Sequence, residues 1–307
     1  MKLIKQSYKI LNNNNSLKDI ELAARTCYQS FDKISEDNSS AIKLVTNLLE
    51  RKHYAMLEFG ENIILNVDKE LLIELLNYAH KPFYKGFNIT ISNTRCLLSF
   101  NPRTAIEFLE YIEYITNYCT QNNIIRKLCQ SIKNNLPPLL TSKFDWINGN
   151  DWYPVLGQKL LVSKLERNVH ETLTVKFITS RSIANELVRH RLCSFAQKSS
   201  RYCDEKGDIE FIEPCWLENS TLIPKHWFTM GLFNVEKIYQ TLRRHDWKPE
   251  QAREVLPLSL ATEIVIKASL QEWKHIFSLR CDKAAHPMMR SLLCPLMEEF
   301  NRIYDVV

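Results

Sequence analysis

Twice in the second half of the chain, a run with strand character passes directly into a run with helical period. In "ETLTVKFIT" (171–179), Leu173, Val175 and Phe177 alternate with Thr172, Thr174 and Lys176, the pattern of a half-buried strand. "SRSIANELVRHR" (180–191) follows without a break. It puts Ile183 and Leu187 on one helical face and Ser182, Glu186 and Arg189 on another. The pattern recurs in "SLATEIVIKA" (259–268), which reads as a strand, and "SLQEWKHIFSLR" (269–280), where Ser269 and Glu272 stand in capping-box spacing and Arg280 falls at the far end. A chain built this way must combine a sheet with helices.

The remaining elements are read from shorter signals. Helical periods occur over 17–30, 38–53 (Ile42, Val45, Leu48 and Leu49 on one face), 70–80 and 103–119. "ENIILNV" (61–67) and "FNITIS" (87–92) are strand-like, and 134–152 is rich in turn residues. "NNNNS" (12–16) reads as a polar loop. "KPEQAREVLP" (248–257) starts a short helix with Pro249 at its first position, and 286–304 is a closing helical region in which Pro295 predicts a kink or break. The 307 residues allow one large domain or two small ones. A net charge of +5 permits anionic ligands without calling for nucleic acid. No apolar run approaches the length of a membrane span, and the N-terminal residues lack the apolar core of a secretory signal. Nine cysteines with no C-x-x-C pair suggest neither a zinc site nor a disulfide framework, so reduced thiols in a cytoplasm are expected.

The chemistry concentrates in "RHRLCSFAQKSSRY" (189–202). Arg189, Arg191 and Arg201 are planar forks suited to phosphate oxygens and charged at any working pH. Ser194, Ser199 and Ser200 add short donors, and Gln197 can read the edge of a pyrimidine or flavin ring. The bland alternatives are a solvated arginine face beside a helix C-terminus and a packed histidine at His190. Cys193 and Cys203 resemble nucleophiles but read better as small buried residues, and Ser199 has no adjacent base in the sequence to activate it. His80, His170, His226 and His245 read as structural or surface residues, and the six tryptophans as core.

The fourteen residues resemble the signature of the flavin-dependent thymidylate synthases, R-H-R-x-x-S followed after four residues by S-x-R-Y. Arg189, His190, Arg191, Ser194, Ser199, Arg201 and Tyr202 all match, while Ala196 and Gln197 stand where Asn-Glu is frequent. The likeness continues in order through "AARTCYQS" (23–30), "KHYAMLEF" (52–59), "AREVLPLSLATEI" (252–264) and "SLQEWKHIFSLRCDKAAHP" (269–287). The second of these keeps His53 and Glu58 but has Ala55 in place of a serine. Residues 84–165 look like an insertion relative to compact members.

The resemblance implies a single α+β domain over 1–307, with mixed helices and an antiparallel sheet. It implies a homotetramer whose active sites lie at subunit interfaces. The ligands would be FAD, dUMP, NADPH and 5,10-methylene-tetrahydrofolate, with neither membrane nor nucleic acid as partner. Arg189, His190 and Arg191 would hold FAD phosphates and face the flavin, with Arg189 also reaching dUMP. Gln197 would sit between the two ligands. Ser199, Ser200 and Arg201 would bind the dUMP phosphate, joined by Arg253 from a neighbouring subunit. Glu186 would lie beside dUMP, and Arg280 would contact the uracil as the catalytic residue. Ser269, Gln271 and His275 occupy flavin-contact positions, as does Ala55, and His53 would lie near flavin and folate. A family histidine after Arg280 is Ala284 here, so His286 would have to substitute. Two other functions share these residues: a flavin- and folate-dependent methyltransferase acting on uracil in RNA, and a non-catalytic nucleotide-binding homologue.

Overall fold

The computed structural model describes residues 1–11, 15–77, 86–92, 95–119, 123–147, 149, 151–156, 161, 163–205 and 207–304. Residues 12–14 of the asparagine tract, 78–80 of the expected third helix (with His80), and 148 and 150 of the turn-rich span lie outside the described residues.

The N-terminal part comprises β1 (Lys2–Ile4), β2 (Ser7–Leu11), α1 (Ser16–Tyr28) and α2 (Ser39–Glu50). Asn15 caps α1, its Oδ1 accepting from the amides of Leu17 and Lys18 at 3.1 and 3.3 Å. In α2, Ala41 and Val45 are buried while Ile42 is exposed, so the inward face is turned by one residue from the one the apolar pattern predicts. Asn38 precedes this helix without a side-chain cap bond.

A second group follows: β3 (Ile63–Val67), α3 (Lys69–Asn77), β4 (Phe87–Ile91), β5 (Cys96–Phe100), α4 (Pro102–Cys119), α5 (Asn123–Asn135) and α6 (Pro138–Thr141). Its strands form an antiparallel sheet in the order β3–β5–β4, with the apolar side chains of α4 and α5 sharing one core with β3 and β5. β5 is buried along its whole length.

The C-terminal part holds α7 (Lys164–His170), β6 (Thr172–Ser180), α8 (Arg181–Leu187), β7 (Ser194–Gln197), β8 (Glu210–Ile212), α9 (Leu222–Arg244), α10 (Pro249–Ala252), β9 (Ala261–Ser269), α11 (Leu270–Arg280) and α12 (Pro287–Tyr304). The central sheet is antiparallel, in the order β2–β6–β9–β7, and β1 pairs with β8 in parallel. The fold class is therefore α+β, as the family resemblance implied.

The β6–β9 register positions the site. Thr172 pairs with Ser269 and Ser180 with Ala261, so α8 and α11 leave opposite ends of one nine-residue ladder. Both helices bury their apolar faces in one core: Ile183 and Leu187 from α8, Trp273 and Ile276 from α11. The ladder is roughly 30 Å long, and the two helices cover roughly 10 and 16 Å of it, so their C-terminal ends converge. Ser180 and Ser269 start the helices, accepting from the amides of Ile183 (3.3 Å) and Glu272 (3.2 Å).

Two expectations are corrected here. The helix does not break at Pro295: α12 continues past it, with Leu292, Leu293, Leu296 and Phe300 packing into the same core and offsetting the single hydrogen bond that proline forfeits. Of the six tryptophans only Trp273 is fully buried, with Nε1 donating to Leu173 O at 3.1 Å. Trp146 is half-buried and Trp152, Trp216, Trp227 and Trp247 are exposed. No helix among the described residues is long and apolar enough to cross a membrane.

Candidate active site

Where α8 and α11 converge, Arg280 donates from Nη1 to Glu186 Oε2 at 2.8 Å, from Nη2 to Glu186 O at 3.2 Å and from Nε to His190 Nε2 at 3.1 Å. A guanidinium has five N–H donors, so this contact set leaves others for a ligand. Arg280 Nε can only donate, so His190 accepts at Nε2 and carries its proton on Nδ1. Burial, helped by the charge of Arg280 and by His275, lowers the His190 pKa to about 4, so the ring is neutral near pH 7. Nδ1 lies 3.8 Å from Glu272 Oε1, whose own pKa burial raises. His275 meets the His190 ring edge-on at 6.0 Å. Donor atoms of His190, Glu272 and His275 lie within 4.8 Å of one another, a spacing open to a metal ion, but the proton on Nδ1 occupies the lone pair such an ion would need.

A second cluster forms around residues 198–203. The signature begins just past the end of α8 and its Ser194–Gln197 stretch is strand β7, paired with β9 from Ser194↔Lys267 to Gln197↔Ile264. Gln197 Nε2 lies 3.4 Å from Thr262 Oγ1. The turn that follows is anchored by Ser199 N donating to Cys27 O at 2.9 Å. Arg253 Nη1 donates to Ser200 Oγ at 3.4 Å, so the arginine expected from a neighbouring subunit meets the serine of its own chain. Arg201 is exposed and bonded to Glu250 at 3.0 Å, and its guanidinium lies 5.2 Å from the ring of Tyr202.

Arg181 is the residue that sequence reasoning missed here. It opens α8, is half-buried, reaches Lys198 O at 3.4 Å and forms no ion pair among the described residues. Burial lowers its pKa, and the charge of Arg253 lowers it further. Two guanidinium groups gathered without a bonded carboxylate at Arg181 favour an anion between them. No motif names Arg181; the one available signal was its place at the start of a helix directly after a strand.

A third cluster ties the second group to β7 and β9. Ser194 donates to Glu58 Oε2 at 2.5 Å, and Arg103 Nη1 donates to Glu58 Oε1 at 2.8 Å. Lys267 is wholly enclosed, bonded to Glu58 O, Gly60 O and Asn62 Oδ1, and burial pulls its pKa down to about 8. These groups border a polar cavity of about 230 Å³ that Ser269, Gln271 and Glu272 also line.

Arg189 and Arg191 are exposed, with no side-chain partner among the described residues. Ala55 is exposed, and His53 is exposed at the rim of a separate groove. His286, the candidate substitute at Ala284, turns instead toward Trp216, 5.8 Å between rings. Cys193 is fully buried, with Sγ 4.0 Å from Glu272, and burial raises the thiol pKa of Cys203. Neither is placed as a nucleophile.

The fold thus places an Arg–Glu–His cluster at the C-terminal ends of α8 and α11, and a turn that gathers two arginines at the start of α8. Residues 163–304 match the family described as thymidylate synthase complementing protein. The chain is 31% identical over 166 residues to the flavin-dependent thymidylate synthase of Pyrococcus horikoshii, covering 53% of this chain and 68% of that protein. It is 28% identical to those of Pyrococcus abyssi, over 53% of this chain and 68% of the relative, and of Synechocystis, over 44% and 68%. The chain belongs to the flavin-dependent thymidylate synthase family, and the class of cofactor is a flavin.

Proposed function

We propose that this enzyme methylates and reduces dUMP to dTMP, taking the carbon from methylene-tetrahydrofolate and the electrons from FAD reduced by NADPH. The observation that carries this reading is the three-point engagement of Arg280 by Glu186 and His190, with the Ser200–Arg253–Arg181 turn at the start of the helix that carries Glu186. One cluster suits a polarisable ring and the other a phosphate.

The donor set fits the cofactor. Arg189 and Arg191 carry exposed guanidinium groups with no side-chain partner among the described residues, as the diphosphate of FAD requires; His190 lies between them in sequence and packs on His275, and Gln271 lines the neighbouring cavity. These residues, with Ser269, Ala55 and Gln197, would hold the flavin. When bound, the flavin supplies a hydride to the substrate carbon. The remaining work is done by this chain. Ser199, Ser200, Arg201, Arg253 and Arg181 hold the phosphate. Arg280 directs its remaining donors at charge developing on the pyrimidine, in a field that needs no reorganisation because Glu186 and His190 already fix the fork. Neutral His190 serves as an acceptor that keeps Arg280 in place.

We also read the assembly as a homotetramer in a cytoplasm, and residues 84–165 as an insertion in one domain. The test is dTMP formation from dUMP with each of FAD, NADPH and the folate withheld in turn. Product in the complete mixture alone supports the reading. Product that persists without the flavin, or none in the complete mixture, refutes it.

A further inference from the structure

Glu58 lies in a short helical turn, Tyr54–Phe59, and is buried. Three elements grip it. Ser194 of β7 donates to Oε2 at 2.5 Å and Arg103 of α4 donates to Oε1 at 2.8 Å. Lys267 of β9 donates to the Glu58 carbonyl at 3.2 Å. Ser194 and Lys267 face each other in the β7–β9 register, so one cross-strand pair holds both the side chain and the backbone of Glu58. Two residues on, the chain is wedged: a Cβ at Gly60 would meet Ser16 Oγ at 2.5 Å and Pro102 Cγ at 2.8 Å. Backbone packed this closely cannot shift to absorb a change at the Glu58 carboxylate.

Glu58, Ser194 and Lys267 all line the polar cavity of about 230 Å³ that Ser269 and Gln271, two of the residues assigned to the flavin, also line. Arg103 does not border it; the other bond of its guanidinium runs to Glu107, one turn along α4, at 2.8 Å. Arg103 therefore reaches the cavity through the Glu58 carboxylate. The last torsion of a glutamate is broad, so a donor on each oxygen is needed to fix the plane of the carboxylate as well as its position. We propose that Arg103 is a positioning residue for the flavin: it fixes the plane of Glu58, which holds the Ser194 end of β7 against β9 and so sets the shape of the cavity. The inference rests on the flavin-contact assignment above, and it gives α4, within residues 84–165, a part in the site.

The test is a double-mutant cycle on FAD affinity, read from flavin fluorescence on binding to the whole protein, with the visible band of the bound flavin and the urea midpoint recorded on the same samples. Arg103→Met is expected to weaken FAD binding roughly tenfold, the size of one charge-assisted hydrogen bond, and to shift the flavin band. In a Glu58→Gln background the same change is expected to cost about twofold or less, because the group it acts through is already altered. Arg103→Lys, which keeps a charged donor for Oε1, is expected to restore affinity to within about threefold of the unaltered protein. Glu107→Gln breaks the other ion pair of Arg103 and should leave FAD affinity unchanged. The Arg103 side chain is 36% exposed, so its variants are expected to fold, and Arg103→Gln is carried through the same cycle so that the result does not depend on methionine being tolerated. FAD affinity that is unchanged in Arg103→Met, or that falls equally whether residue 58 is Glu or Gln, overturns the proposal. None of these readouts uses dUMP. If the two changes are coupled but no dTMP forms, the positioning role stands and the reaction fails; if dTMP forms and the changes are independent, the reaction stands and the positioning role fails. An unaltered protein that binds no FAD overturns both.

Discussion

Replacing Arg280 with alanine separates what the residue does for catalysis from what it does for the fold. The change removes three hydrogen bonds, to Glu186 Oε2, Glu186 O and His190 Nε2. The Glu186 side chain is 39% exposed, so water can replace the lost partner and the stability cost is held to about 1 kcal/mol. The catalytic cost is larger. A preorganised donor aimed at developing charge is worth about 3 kcal/mol, or roughly a hundredfold to a thousandfold in kcat. Arg280→Lys keeps the charge but loses the planar fork, and an ammonium cannot hold Glu186, His190 and the pyrimidine in the same geometry; its expected loss is about tenfold. The assay is single-turnover dTMP formation under anaerobic conditions, with flavin occupancy and the urea midpoint measured on the same samples. The reasoning predicts flavin still bound, a midpoint slightly lowered and turnover nearly abolished. Turnover within about threefold of the unaltered enzyme, a barrier change below 1 kcal/mol, would refute it.

Arg181→Gln should raise the KM for dUMP roughly tenfold to a hundredfold and leave the affinity for deoxyuridine, which lacks the phosphate, unchanged; equal effects on both ligands would assign Arg181 to the fold instead. Cys193→Ala and Cys203→Ala should each retain dTMP formation, measured by product mass, because both thiols are buried and burial raises the pKa of Cys203. Burial holds His170 and His190 at a pKa of about 4 against 6.5 in the unfolded chain. The unfolded chain therefore takes up protons between these values that the folded chain refuses, and stability, complete above about pH 6.5, should fall as the pH drops toward 4. A urea midpoint that stays level over that interval contradicts this. Lys267→Met should lower stability by at least about 2 kcal/mol by leaving Glu58 O, Gly60 O and Asn62 Oδ1 without their shared donor; an unchanged midpoint would show that these acceptors find other partners.

The parts of the fold that were legible in the sequence are those whose two faces differ. β6 alternates cleanly and α8 carries an apolar stripe, and both lie where the pattern places them. β5 escaped notice because it is buried on both sides and offers no alternation. α9 escaped for the opposite reason: only Leu232, Glu236 and Tyr239 of its 23 residues are buried, while Leu222, Ile223 and Trp227 are exposed, so its apolar residues follow no single face. The site divides in the same way. Arg280 and the signature were readable as local motifs. The Ser194–Glu58 bond spans 136 residues and the Arg280–His190 bond spans 90, and only the fold brings such partners together. Arg181 and Glu272 acquire meaning only once Arg253 and His190 are known to face them.

The central claim is that these clusters turn dUMP into dTMP with electrons passed through a flavin. Its most direct measurement is anaerobic incubation of the purified protein with FAD, NADPH, methylene-tetrahydrofolate and dUMP, with the nucleotides followed by mass spectrometry. The account predicts a product heavier than dUMP by one CH₂ unit that disappears when FAD or NADPH is omitted. Unchanged dUMP in the presence of bound and reducible flavin would contradict it.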